Sequence, residues 1–157
     1  MVRITMKNQI QYLIFCVGNR DGGDDAIGPY IADYFRDKPS PGIEVIDAGV
    51  APENYTSLVK KRKPKILIII DAVEMDLKPG EIRIVPKEKI GTMHVSTHGI
   101  PLSVLMTYLQ SYAERIILIG VEPKIVSGRI TKIIKKSGDQ VVKLIEDDKL
   151  EEIKTLQ

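Results

Sequence analysis

The run Lys65–Ile70, KILIII, constrains the fold of this chain more than any other segment. Its aliphatic residues leave no polar face, so a strand built from them must be covered on both sides. Tyr12–Val17 and Arg115–Val121 have the same continuous apolar character. Buried strands of this kind are typical of parallel sheets that lie between two layers of helices.

Segments with helical spacing separate these apolar strands. The alternation of strands and helices predicts an α/β fold, a three-layer α/β/α sandwich with a twisted, mostly parallel sheet. The predicted helices are Ile27–Phe35, Glu53–Lys61, Leu102–Tyr112 opened by Pro101, and a stretch around Val141–Ile145, and the predicted shorter strands are Ile43–Ile46 and Glu81–Val85.

The chain reads as a single domain over residues 1–157, with a core from about residue 12 to residue 147. A length of 157 residues is that of one ordinary domain, and no repeat or linker divides it. The segment Ile125–Ser137 has no clear periodicity. The residues after Asp147 are expected to fray.

Composition excludes several classes of partner. A net charge of +2 is too small and too evenly spread to indicate nucleic acid. The exception is the basic run Lys60–Lys63 with Lys65, which we interpret as a solvated helix end favoured by the helix dipole. No segment approaches the roughly 20 apolar residues of a membrane span, so we expect a cytoplasmic protein without membrane contact. We also expect it to be a monomer. Cys16, the single cysteine, lies in an apolar run and reads as a buried hydrophobe.

Three groups of polar residues fall where parallel strands end. Asp24 and Asp25 follow the first strand, Asp71 ends the KILIIID run, and His98 precedes the helix that Pro101 opens. Ligands bind outside the carboxyl ends of the strands in open parallel sheets, so this edge is the predicted site. Each residue also has a structural interpretation. One of the adjacent aspartates would cap the helix, Asp71 would be a turn residue, and a lone histidine is more often structural.

Taken together, these residues offer two kinds of chemistry. Carboxylates with an imidazole form an oxygen and nitrogen metal site, and they equally form an acid–base set. The sequence lacks a phosphate-binding GxxxxGK[ST] loop, GxGxxG spacing, a GxSxG elbow and an HExxH helix. Acidic residues at the first loop therefore indicate a cation rather than a phosphate.

Several blocks of the sequence resemble one known family. They are CVGNRDGGDDAIGP, IDAGVAPEN, ILIIIDAVEMDLKPGEIRIV, STHGIPLSVLM and ILIGVEPKIV. In this order, from about Tyr12 to Val126, they are similar to the hydrogenase maturation endopeptidases. The most similar group is the proteases that process the large subunit of formate hydrogenlyase (hydrogenase 3) type nickel–iron hydrogenases.

The resemblance implies a sheet between helices and an aspartic-type endopeptidase. Such an enzyme removes the C-terminal extension of a hydrogenase large-subunit precursor after nickel insertion. It implies that Asp25, Asp71 and His98 are the catalytic and metal-contacting residues, and that the nickel ion arrives with the substrate. Two departures are Ala26, where many members have glycine, and the segment 20–22, which differs from their apolar loop.

Two other functions stay open at this point. A peptidyl-tRNA hydrolase-like hydrolase would share the Gly-Asn turn after the first strand, but it would need a stronger basic groove than Lys60–Lys65 offers. A non-catalytic nickel-binding protein or chaperone would bind nickel tightly without a substrate. Whether a metal ion or a carboxylate activates the attacking water is also undecided by the residues alone.

Overall fold

The computed structural model describes residues 10–91, 94–95 and 99–157, and of residues 94 and 95 only the backbone. His98 lies outside the described residues. Within them, the strands are β1 (Tyr12–Val17), β2 (Ile43–Gly49), β3 (Ile66–Glu74), β4 (Ile82–Ile84), β5 (His94–Val95) and β6 (Arg115–Val121). Five of them form a sheet in the order β2-β1-β3-β6-β4, and the short β5 pairs with β3.

The sheet is mostly parallel, as the sequence predicts. Strand β1 pairs in parallel with β2 and β3, and β3 pairs in parallel with β6. Only β4 and β5, among the described strands, run antiparallel to their neighbours. Consequently β1, β2, β3 and β6 all end at one edge of the sheet, which we call the carboxyl edge.

Helices cover both faces of the sheet. They are α1 (Ile27–Asp37), α2 (Thr56–Arg62), α3 (Lys87–Ile90), α4 (Leu102–Leu109) and α5 (Lys132–Glu146). On one face α1 and α5 pack over one hydrophobic cluster, and on the other face α2, α3 and α4 pack over a second. Alternate residues of β3 belong to the two clusters, which explains its uninterrupted apolar run.

Strand β3 is longer than the apolar run suggests. It continues through Asp71 to Glu74, whereas its neighbour β1 pairs with it only as far as Ile70. The prediction that Asp71 ends the strand is therefore wrong. The carboxylate sits where β3 begins to project past β1 while still pairing with β6 through Gly120.

The C-terminal residues are packed, so the predicted fraying after Asp147 is also wrong. A 3₁₀ turn, Leu150–Glu152, follows α5, and Ile153 and Leu156 are buried. The N–H of Leu156 donates to the carbonyl oxygen of Ile84 at 2.9 Å. The C-terminal tail thus pairs with β4 at the sheet edge through its backbone. These few residues show no periodic pattern from which this pairing could be predicted. No helix among the described residues is long and apolar enough to cross a membrane.

A close approach of α1 to β1 depends on Gly28. A Cβ atom added there would lie 2.2 Å from the carbonyl oxygen of Val17 and 2.6 Å from its nitrogen. Because both atoms belong to the backbone of a central strand, neither can move aside cheaply. The glycine therefore sets the distance of α1 from the sheet, and with it the position of the preceding loop.

We expect Gly28→Ala to destabilise the protein by about 2 kcal/mol or more, because overpacking against backbone forces the helix outward. Urea denaturation measures this loss as a lower midpoint with an unchanged slope. Gly91→Ala is the matched control, since a Cβ at Gly91 meets nothing within 4 Å. Equal stability of the two variants would contradict this packing argument.

Candidate functional site

The first loop begins where β1 ends and turns back sharply. Gly18 has φ +147°, and a Cβ at this position would lie 1.9 Å from the carbonyl oxygen of Asp25. Its N–H donates to the carbonyl oxygen of Gly49 at 2.8 Å, so the ends of β1 and β2 are joined. Only a residue without a side chain allows this return, which brings the two aspartates to the carboxyl edge.

Asp24 fastens the first loop to the segment that follows β6. Its carboxylate is fully buried and accepts four hydrogen bonds. The N–H groups of Lys124 and Ile125 donate to Oδ2 at 2.8 and 3.0 Å, and the N–H and hydroxyl of Thr131 donate to Oδ1 at 2.7 and 2.8 Å. The prediction that an aspartate caps α1 is wrong, since neither this turn nor α1 has a side-chain cap. The donors come instead from a segment a hundred residues away.

Asp25 occupies the neighbouring position of the same 3₁₀ turn, Gly23–Ala26, and is half-buried. Its Oδ2 accepts a hydrogen bond from the N–H of Asn19 at 3.2 Å. The turn contacts β3, the strand that carries Asp71. The two adjacent carboxylates therefore differ in position. The carboxylate of Asp24 is buried among its hydrogen bonds to the distant loop, and Asp25 is half-buried at the carboxyl edge.

Asp71 is fully buried on the central strand. Its neighbours two residues away, Ile69 and Val73, belong to the cluster under α2 and α4, so the carboxylate lies on that face. Burying a carboxylate is unfavourable unless charge and hydrogen bonds compensate, and such groups concentrate at functional sites. The structure therefore brings Asp71 and the turn of Asp25 to one edge of the sheet.

His98 cannot be placed with them, since it lies outside the described residues. Within residues 10–91 and 99–157, no three acidic, histidine or cysteine side chains are grouped closely enough to hold a metal ion. The convergence of Asp25, Asp71 and His98 on one ion stays a prediction.

Glu53 is a further acidic residue at the carboxyl edge, and sequence reasoning gave it no role. It lies in the 3₁₀ turn Pro52–Tyr55 after β2. Its Oε2 is 1.9 Å from where a Cβ on Gly99 would be, so the carboxylate lies against the backbone of that residue. Its Oε1 is buried and has no hydrogen-bond partner among the described residues. The only signal in the sequence is its place in the block IDAGVAPEN, which periodicity cannot interpret.

A second buried carboxylate fastens the loop after β3. Glu122, directly after β6, accepts hydrogen bonds at Oε1 from the N–H groups of Met75 and Leu77 at 2.7 and 3.0 Å. Like Asp24, it accepts hydrogen bonds from backbone N–H groups of a loop, which have no partner in a helix or strand. Its role is therefore structural, although it lies at the same edge as Asp71.

A groove of about 630 Å³ opens beside the first loop. Arg20, on its wall, donates to both carboxylate oxygens of Asp33 at 2.8 Å and to Asp47 at 2.5 Å. The hydrogen bonds from Arg20 hold the pKa of Asp33 below its usual range. This arginine belongs to the segment that departs from the family pattern, and it ties the loop to α1 and β2. The groove is lined by Gly18, Asn19, Arg20, Asp47, Ala48, Gly49, Val50 and Tyr55.

Comparison with known proteins identifies the family. The HycI family model, described as hydrogenase maturation protease, matches residues 29–148. The hydrogenase 3 maturation protease of Escherichia coli K12 is 36% identical over 137 residues, which are 85% of this chain and 88% of that protein. The chain belongs to the hydrogenase maturation protease family.

Solved structures agree with this assignment. The crystal structure of a hydrogenase 3 maturation protease has a TM-score of 0.87 at 32% identity, over 96% of this chain and 99% of that one. The nickel–iron hydrogenase maturation protease HycI of Thermococcus kodakarensis KOD1 has a TM-score of 0.77 at 26% identity, over 94% and 97% of the two chains. The predicted α/β class is confirmed, and the protein is a protease and hence a hydrolase.

A maturation protease needs a group that activates water or attacks the peptide carbonyl. Cys16 is unsuitable as a nucleophile, because it is fully buried in the core and burial raises the pKa of its thiol far above the usual range. The half-buried Asp25 lies in the turn that contacts β3, the strand that carries the buried Asp71. A carboxylate can act as a general base.

The position of the basic run, Lys60–Lys63 with Lys65, argues against the alternative function of a peptidyl-tRNA hydrolase-like hydrolase. Lys60–Arg62 form the last turn of α2, and Lys65 directly precedes β3. The run therefore lies at the amino end of the parallel strands, opposite the carboxyl edge. A nucleic-acid substrate bound there would be far from both aspartates.

The free energies of unfolding of two variants test whether Asp24 and Asp25 have separate roles. Asp24→Ala removes the buried acceptor of four hydrogen bonds, so we expect a loss of about 3 kcal/mol or more in urea denaturation. Asp25→Asn keeps an oxygen that can accept from Asn19, and we expect a loss below about 1 kcal/mol. If Asp25→Asn were the more destabilising change, the assignment of Asp24 to structure and Asp25 to the site would be reversed.

Proposed function

We propose that this protease removes the C-terminal extension of a nickel–iron hydrogenase large-subunit precursor after nickel insertion, and that it recognises the substrate through its nickel. The observation that carries this proposal is the fully buried Asp71 on the central strand, at the edge where the turn of Asp25 contacts the same strand. The relative in Escherichia coli is named for hydrogenase 3 maturation, which supports the substrate class.

Recognition through nickel follows from coordination chemistry. Two carboxylates and an imidazole, from Asp25, Asp71 and His98, make a partial shell with useful affinity for nickel. They leave coordination positions that ligands of the precursor complete. A precursor loaded with nickel therefore gains docking energy at this edge, and an unloaded precursor gains none. Each 1.4 kcal/mol of such energy is about a tenfold difference in binding.

Cleavage then needs only water and a carboxylate. One carboxylate of the pair takes a proton from water, and the water oxygen attacks the scissile carbonyl carbon. The C–N bond of the tetrahedral intermediate breaks as the leaving nitrogen takes up that proton from the carboxylic acid, which regenerates the carboxylate. The fixed first loop and the buried strand hold the two carboxylates in place, so little reorganisation is required during the reaction.

Asp71→Asn should abolish processing, with a rate at least about 100-fold below wild type, because the charge and the basic oxygen are both removed. The side chain keeps its shape, so the thermal unfolding midpoint should remain close to that of wild type. Mass spectrometry of the nickel-loaded precursor measures cleavage, and circular dichroism checks the fold. Processing at the wild-type rate by the folded variant would remove Asp71 from the mechanism.

The role of nickel needs three substrates in parallel. They are nickel-loaded precursor, nickel-free precursor, and nickel-free precursor with protease preincubated with nickel. We expect cleavage of the loaded precursor alone, since the protein site by itself holds only a partial shell. Equal cleavage of loaded and nickel-free precursor would end the proposal of recognition through nickel while leaving the protease activity intact.

A further inference from the structure

Helix α4 exposes a stripe of large apolar side chains. Ile100, Val104 and Tyr108, which we call the α4 stripe, are 40%, 52% and 52% exposed. Val104 and Tyr108 lie four residues apart on α4 and therefore on one side of the helix, and Ile100 lies just before Pro101, which precedes the helix. The opposite side of α4 is buried in the core through Leu102, Leu105, Met106 and Leu109.

The α4 stripe is half of the large apolar side chains that the described residues expose. Six such residues are exposed, and the others are Ile125, Val126 and Ile133. A groove of about 490 Å³ runs beside Val104 and Tyr108, between α3 and α4. Contiguous apolar surface beside a groove is typical of a protein interaction site, whereas single exposed residues need no explanation.

Lysines flank the stripe, and no described carboxylate neutralises them. The ammonium of Lys60 donates to the hydroxyl of Tyr108 at 2.5 Å and lies 4.8 Å from the centre of its ring. The ammonium of Lys87 donates to the hydroxyl of Thr107 at 3.2 Å. Neither lysine forms an ion pair with a described residue. Glu88 lines the groove, but the lysine charges remain available to a partner.

The stripe also starts at the candidate site. Ile100 follows Gly99, whose backbone lies against Glu53 at the carboxyl edge. From there α4 leads toward the other end of the sheet, where Lys60 lies in the last turn of α2. The stripe thus lies between Gly99, at the carboxyl edge, and the ammonium of Lys60.

We propose that the α4 stripe is the docking surface for the hydrogenase precursor, and that it receives an apolar segment of that protein flanked by carboxylates. The inference rests on the proposed function and adds to it a second contact, away from the nickel. A second copy of this chain is a poorer occupant, because a twofold contact would bring the Lys60 and Lys87 side chains of both copies together.

The test separates docking from chemistry by steady-state kinetics on the nickel-loaded precursor. Val104→Glu and Tyr108→Glu should each raise KM at least tenfold with kcat within twofold of wild type, because they place a like charge against the acidic partner. Lys60→Glu should raise KM and weaken the salt dependence of KM. Ile133→Glu is the matched control, since Ile133 is 44% exposed on α5, which covers the other face of the sheet. It should leave both constants unchanged.

Binding of the precursor to the inactive Asp71→Asn protein, measured by interferometry, distinguishes the two proposals. Binding that Val104→Glu weakens tenfold supports the stripe even if wild type fails to cleave the precursor, in which case the proposed function is wrong. An unchanged KM in the folded Val104→Glu and Tyr108→Glu variants overturns the stripe. So does a wild-type dimer in sedimentation that Val104→Glu dissociates without a change in KM.

Discussion

The carboxylate of Asp24 joins the loop after β1 to the segment after β6 at the carboxyl edge. It accepts hydrogen bonds from three backbone N–H groups and one hydroxyl, all between residues 124 and 131. Two loops that are far apart in sequence therefore behave as one unit. Further backbone bonds reinforce the connection, such as that from the N–H of Gly23 to Gly128 at 3.0 Å. Asp25 is the next residue of the same turn, so these contacts also fix the position of its backbone.

A rigid edge suits a maturation protease, because its loops position the catalytic groups. Glu122 holds the loop after β3 in the same way that Asp24 holds the loop after β1, by accepting backbone N–H groups. Both loops are thus ordered before any substrate arrives. Because ordering entropy is spent in folding, more of the binding energy remains for discrimination between substrates.

Apolar runs and helical spacing in the sequence were enough to predict the central strands and three of the helices. The apolar runs of β1, β3 and β6 identified the central strands, and helical spacing identified α1, α4 and α5. Strand-end logic and the family resemblance pointed to Asp25 and Asp71, which the structure places at one edge. The contacts that the sequence concealed are long-range. The partners of Asp24, the carboxylate of Glu53 against Gly99, and the C-terminal tail on β4 all join residues with no periodic relation.

The burial of Cys16 affects whether this protease can compete with its substrate for nickel. An accessible thiol would compete with the precursor's own ligands for nickel and could withdraw the ion that the enzyme is proposed to inspect. Cys16 is the single cysteine of the chain, and it lies between β2 and β3 with no exposed surface. Without an accessible thiolate, the protein is a weaker competitor for the ion. Under the proposed recognition through nickel, the enzyme contacts the metal centre of its substrate and leaves that centre intact.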